Sequence, residues 1–197
     1  GLISATGTFE LNRALRFKSP SSAYGQTNLK GNADGFGYNI GFHYQATEKL
    51  NLGLTYRSGI TMQLKDGDAT FTAPASTASS VPPTNTFDAE LPLPSTTTFG
   101  LSYDVSEKLT LAIEYSYVDW DVYKSLDFDF KTNTTALQDS KNARRYESSS
   151  IYRIGAQYKV NDKWIARVGG YFDESPIQDE YFNPETPNTN NLGLTCG

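Results

Sequence analysis

Apolar and polar residues alternate one for one along much of the chain, most clearly from Lys108 to Tyr117, KLTLAIEYSY. Leu109, Leu111, Ile113, Tyr115 and Tyr117 take every second position, with Thr110, Ala112, Glu114 and Ser116 between them. Successive side chains of a strand point to opposite faces, so this strand has one continuously apolar face and one small or polar face. The run before it sets Phe99, Leu101, Tyr103 and Val105 against Thr98, Gly100 and Ser102, and the polar Asp104–Glu107 connection reads as a hairpin turn. Five more runs follow the same plan. They are Leu2–Ala14, Gly35–Tyr44 (Phe36, Tyr38, Ile40, Phe42 and Tyr44 apolar), Leu50–Arg57, Tyr146–Val160 and Trp164–Phe172. The third of these can continue on one face through Ile60, Met62 and Leu64.

Polar stretches separate the runs. Leu15–Asp34, Lys65–Thr86 and Thr132–Arg145 read as loops by composition, and everything after Ser175 is Pro- and Asn-rich. Pro92 and Pro94 interrupt one strand, as tolerated only at a strand end or bulge. The run from Lys108 stays strand-like to Lys131, far beyond the about 9–11 residues a bilayer requires, so its part after Asp119 is expected to stand above a membrane. Short connections alternate with long ones throughout. Outer-membrane barrels have short periplasmic turns and long external loops, whereas a soluble sandwich has no reason to sort loops by end. The expectation is a single partial domain over residues 1–197, an all-β antiparallel transmembrane β-barrel with about seven strands present.

Composition narrows the alternatives. Seventeen basic against 22 acidic residues leave no cationic footprint for nucleic acid. Thirteen Tyr and 11 Phe favour pleated sheet. The mean hydropathy of −0.50 would suit a soluble protein, yet a barrel also reaches it, because alternate residues and long loops are polar. No apolar run is long enough for a transmembrane helix. A leader sequence is expected to be cleaved or to lie outside these residues. The single cysteine, Cys196, cannot form an internal disulfide, and one histidine excludes a multi-histidine metal site.

Three segments, TYRSGITMQLK at Thr55–Lys65, YSYVDW at Tyr115–Trp120 and YRIGAQYKVNDKWIARVGGYFDESPI at Tyr152–Ile177, resemble the outer-membrane long-chain fatty-acid transporter family (FadL-like), including its aromatic-hydrocarbon uptake members. The FDESP run at Phe172–Pro176 is the most specific piece. The resemblance implies a 14-stranded barrel in the outer membrane of a Gram-negative bacterium, monomeric at full length and plugged by an N-terminal hatch. It also implies that hydrophobic molecules pass from outside to an opening in the wall. The chain is similar to the C-terminal half of such a barrel without its last strands, so hatch and wall opening fall on no residue here. Its last run is expected to rise, leaving the chain on the outer side.

Within this frame, His43, Arg57, Glu114, Arg153 and Arg167 fall on the inner face, either as a structural polar network or along a substrate path. His43 has no obvious serine or carboxylate partner for lipase-like chemistry, and neither a cofactor nor an energy-coupling motif is evident. Asp66–Asp68 and the series Asp119, Asp121, Asp127 and Asp129 are Ca²⁺ ligands or ordinary solvated acids. Trp120, Tyr123, Tyr115 and Tyr117 are an interfacial girdle or ligand-stacking aromatics. The function expected is passive uptake of hydrophobic compounds, long-chain fatty acids or aromatic hydrocarbons, by a non-enzymatic channel in contact with outer-membrane lipid and lipopolysaccharide. The rival is a soluble or surface-displayed β-sandwich that binds carbohydrate or protein through its loops, in which a second sheet must cover the apolar rows.

Overall fold

A computed structural model describes residues 1–16, 24–74, 78, 81–134, 137–184 and 186–197. Among these, twelve strands form one antiparallel sheet: β1 (Leu2–Arg16), β2 (Tyr24–Gln45), β3 (Leu50–Arg57), β4 (Ile60–Thr72), β5 (Thr84–Leu93), β6 (Thr96–Asp104), β7 (Leu109–Val118), β8 (Ser125–Phe130), β9 (Ser140–Ala143), β10 (Ser149–Lys159), β11 (Ile165–Asp173) and β12 (Asn191–Cys196). The spatial order is β12-β11-β10-β7-β6-β3-β2-β4-β5-β8-β9, with β1 on the other edge of β2. The sheet is not closed.

β2 shows how the sheet is divided. Its lower half, Asn39–Gln45, pairs with β3, while its upper half pairs with β4 from Asp34 up to Gln26. The even-numbered residues face outward along the whole strand. From Phe36 downward these are Phe36, Tyr38, Ile40, Phe42 and Tyr44, from 51% to 76% exposed; above it they include Lys30, Asn32 and Asp34. The inner face inverts in the opposite sense: Asn39 and His43 below, buried Leu29 and half-buried Ala33 above. A strand that leaves hydrocarbon for water should exchange its faces in this way, because only the lipid-facing side is stabilised by apolar groups inside the bilayer and only the enclosed side outside it. The exchange falls between Asp34 and Phe36, and the row from Phe36 to Tyr44 matches the about 9–11 residues of a tilted membrane strand.

The molecule therefore has a wall and an outer extension. In the wall, β3, β6, β7, β10, β11 and β12 continue from lower β2, and their convex face carries Leu54, Ile113, Ile154, Val168 and Leu194, all well exposed. In the extension, β1, upper β2, β4, β5, β8 and β9 curl until Phe9 of β1 meets Phe128 of β8, ring centroids 6.0 Å apart. Their concave faces enclose a core that includes Leu29, Leu64, Phe71, Phe87 and Phe130.

The short turns expected at 46–48, 104–107 and 161–162 are present, and the seven alternating runs correspond to β1, β2, β3, β6, β7, β10 and β11. Five further strands raise the count to twelve. The loop expected at Leu15–Asp34 is largely strand, because β1 runs to Arg16 and β2 starts at Tyr24. That at Lys65–Thr86 carries the end of β4 and the start of β5, its positions 75–77 and 79–80 lying outside the described residues. Ile60–Leu64 does not prolong β3: the chain breaks at Ser58–Gly59 and starts β4, which pairs with β5. The run to Lys131 is not continuous either. A 3-10 turn at Trp120–Val122 ends β7, and β8 joins β5 in the extension, off the wall. β9 lies in the expected Thr132–Arg145 gap, and β12 descends along β11, so the last strand does not rise.

Candidate functional site

The concave face of the wall forms a trough of about 910 Å³. Registers place His43, Gly53, Gly100, Glu114, Arg153, Tyr171 and Gly193 in one row across it, each the direct cross-strand partner of the next. Gly53 and Gly100 leave the floor between His43 and Glu114 without side chains. Glu114 accepts a short hydrogen bond from Arg153 Nη1. The same nitrogen lies 3.4 Å from Ser116 Oγ, which is 2.9 Å from Thr98 Oγ1. Arg167 Nε donates to Gln157 Oε1 at 2.9 Å in the same trough. Arg57 sits higher, at the outer end of β3, with Nη2 3.4 Å from Thr96 Oγ1. The five residues expected inside thus share the inner face, but only Glu114 and Arg153 touch one another.

Above the trough the inner face turns apolar, a feature the loop assignments hid. Its signal was present at 127–130, where Asp127 and Asp129 alternate with Phe128 and Phe130. The two carboxylates form the wet face of β8 and the two rings its core face. Trp120 and Tyr123 are not on the lipid-facing girdle: both pack edge-on against the buried Tyr146. Tyr115 and Tyr117 do face outward. Three of the acids weighed as cation ligands meet protein donors. Asp121 pairs with Lys124, Asp119 accepts from Ser148 Oγ, and Asp127 accepts from Asn142 N–H. Among the described residues no cluster of three or more His, Cys, Asp or Glu is placed to hold a metal ion. Asp66 has φ of 51° at a bulge in β4; its N–H donates to Asp88 Oδ1 at 2.9 Å, and Lys131 Nζ reaches Asp88 Oδ2 at 3.1 Å. The Asp66 N–H and then the Lys131 ammonium hold the Asp88 carboxyl below its ordinary value, and Asp88 in turn raises that of Lys131.

A sheet with an apolar convex band, short turns at one end and an apolar chamber beyond the other is a barrel wall with an external extension. Residues 4–197 match the model of the family described as outer membrane protein transport protein (OMPP1/FadL/TodX). The chain belongs to that family. It is 27% identical over 179 residues to the long-chain fatty acid transport protein of Escherichia coli K12, covering 86% of this chain and 39% of that protein. Outer membrane protein P1 of Haemophilus influenzae is 26% identical over 141 residues, 72% of this chain and 29% of its own length. A FadL homologue from Pseudomonas aeruginosa superimposes with a TM-score of 0.83 at 16% identity, over 99% of this chain and 49% of that one. The toluene transporter TodX of Pseudomonas putida gives 0.59 at 20%, over 88% and 43%. The chain thus spans less than half of each of these relatives. As in its FadL/TodX-type kin, it is an outer-membrane β-barrel segment, and its exposed convex rows face lipid where a sandwich would need a second sheet.

Proposed function

We propose that the protein carrying this chain is a passive outer-membrane channel for hydrophobic compounds, with long-chain fatty acids or aromatic hydrocarbons as cargo. The observation that carries the reading is the exchange of faces along β2, whose upper half carries β4 and, beyond it, β5. It builds an apolar interior outside the bilayer, directly above the trough of the wall. An apolar solute crossing water gains about 25 cal/mol per Å² of surface that such an interior covers. The trough below adds the charged Glu114, Arg153 and Arg167 to its inner face. The outer chamber therefore collects cargo, and the arrangement needs neither catalysis nor an energy source. Family membership supports the transport class, and the names of the relatives support both cargo types.

The test is uptake by cells that lack the gene, complemented with the full-length protein, using radiolabelled oleate and toluene at concentrations that limit growth. Restored uptake of at least one is expected, together with insensitivity to a protonophore during the first seconds of entry. Complementation that restores neither would overturn the reading.

A further inference from the structure

The three short turns of the wall repeat one pattern. GFHYQATEKLNL at 41–52, GLSYDVSEKLTL at 100–111 and GAQYKVNDKWIA at 155–166 each carry a glycine, a tyrosine three positions on, and then Thr, Ser or Asn followed by an acid, a lysine and Leu or Trp. Turn geometry accounts for the Thr, Ser or Asn. Thr47 Oγ1 accepts from the N–H groups of Lys49 and Leu50 at 3.2 and 3.0 Å, and Ser106 Oγ from those of Lys108 and Leu109 at 3.3 and 3.2 Å. Asn161 Oδ1 does the same for Lys163 and Trp164 at 2.9 and 3.0 Å. It does not account for the acid and the lysine. Glu48, Lys49, Glu107, Lys108 and Lys163 are exposed and, among the described residues, form no ion pair, whereas Asp162 pairs with Lys159 at 2.8 Å.

The turns also stand in line. Asp104 N–H donates to Lys49 O at 2.9 Å and Lys159 N–H to Lys108 O at 2.8 Å, which sets the turns side by side on one rim, two strand spacings or about 10 Å apart. Tyr44, Tyr103 and Tyr158 stand on the convex face just inside them, 65%, 43% and 48% exposed. Barrels place such aromatics at the membrane–water interface, so the turns beyond them lie among lipid headgroups, on the periplasmic side where short turns belong. We infer that this rim is a docking surface for a zwitterionic aminophospholipid of the periplasmic leaflet, one headgroup to each turn. An acid and a lysine side by side carry no net charge, so the motif does not single out an anionic lipid. It matches a headgroup that carries both signs. A lysine only donates and suits the phosphate; a carboxylate only accepts and suits the N–H groups of a primary ammonium. A phosphocholine has the phosphate but no N–H donor, and a phosphoglycerol has no cation. The inference concerns how the wall is seated in its membrane and is independent of the cargo.

The experiment is native mass spectrometry of the full-length protein released from nanodiscs that hold phosphatidylethanolamine, phosphatidylcholine and phosphatidylglycerol of one acyl composition in equal amounts. The native protein is expected to retain phosphatidylethanolamine over each of the others by about fivefold, the value of about one net hydrogen bond. Glu48→Gln, Glu107→Gln and Asp162→Asn together should remove the preference over phosphatidylcholine and raise the share of phosphatidylglycerol, because the lysines then act alone. All three sites are exposed and the residues that cap the turns are kept, and a heat-modifiable band checks that the variant folds. A second measurement needs no variant: in a series of mono-, di- and trimethylated ethanolamine lipids, retention by the native protein should fall most at the step that removes the last N–H. Equal retention of phosphatidylethanolamine and phosphatidylcholine by the native protein, no drop at that last step, or a preference unchanged in the folded triple variant would each overturn the inference.

Discussion

Whether a single side chain meets lipid or the trough is decided by its parity along the strand. Ile113 and Leu54 are 50% and 45% exposed on the convex face, whereas Ala112 and Thr55 alternate to the other. Arg in place of Ile113 or Leu54 is therefore expected to cost about 2–4 kcal/mol near the midplane, and Arg in place of Ala112 much less. Urea titration of the full-length protein in phospholipid vesicles measures the difference. Equal costs on the two faces would mean that the convex row does not contact lipid. Glu114 and Arg153 were identifiable from the same parity, and their contact followed from the pairing of β7 with β10. Their side chains are 40% and 45% exposed in this chain, so a double-mutant cycle should return a coupling of about 0.2–1 kcal/mol, as for a solvated pair, and not the several kcal/mol of a dry one.

At the scale of an element, β4 shows what alternation cannot convey. It carries one extra residue near Lys65–Asp66 relative to both neighbours, and Asp66 takes a left-handed conformation there. The bulge keeps Leu64 and Ala69 on the same inner side despite the odd spacing between them, which is why the segment has no readable period. Gly67 follows the bulge under Phe87, and a Cβ there would stand 2.7 Å from Phe87 Cε1. Gly67→Ala is expected to destabilise the extension by about 1–3 kcal/mol, seen as faster proteolysis of the outer strands in whole cells. The Asp88 clasp on Asp66 adds a pH dependence. Its carboxyl has a lowered value when folded, so its stabilising contribution is complete above the ordinary Asp range and is lost as pH falls through that lowered value. Protease resistance of the β4–β5 region should fall correspondingly in acid, and Asp88→Asn should remove most of that dependence.

At the scale of the whole molecule, the described sheet leaves lower β2 without a partner on its β1 side and β12 with only one neighbour. Unpaired N–H and C=O groups are not tolerated in hydrocarbon. Expressed alone, these 197 residues are expected to aggregate in detergent and to show no heat-modifiable band. Within a chain that supplies the neighbouring strands they should be protease-resistant. A compact, heat-modifiable species from the 197 residues alone would show that the sheet can close on itself. Alternation was enough for the class of sheet, the outward apolar rows, the short turns and the placing of Glu114 and Arg153 opposite those rows. All of these follow from a period of two and from turn composition, which are local. That Leu15–Asp34 and Lys65–Thr86 contain strand, and that Phe9, Leu29, Phe87 and Phe128 share a chamber, emerged with the fold. Outside the bilayer the apolar side changes face, a bulge shifts the register, and the strands that complete the core are distant in sequence; closure of a core by non-neighbouring strands leaves no periodic trace in any one of them.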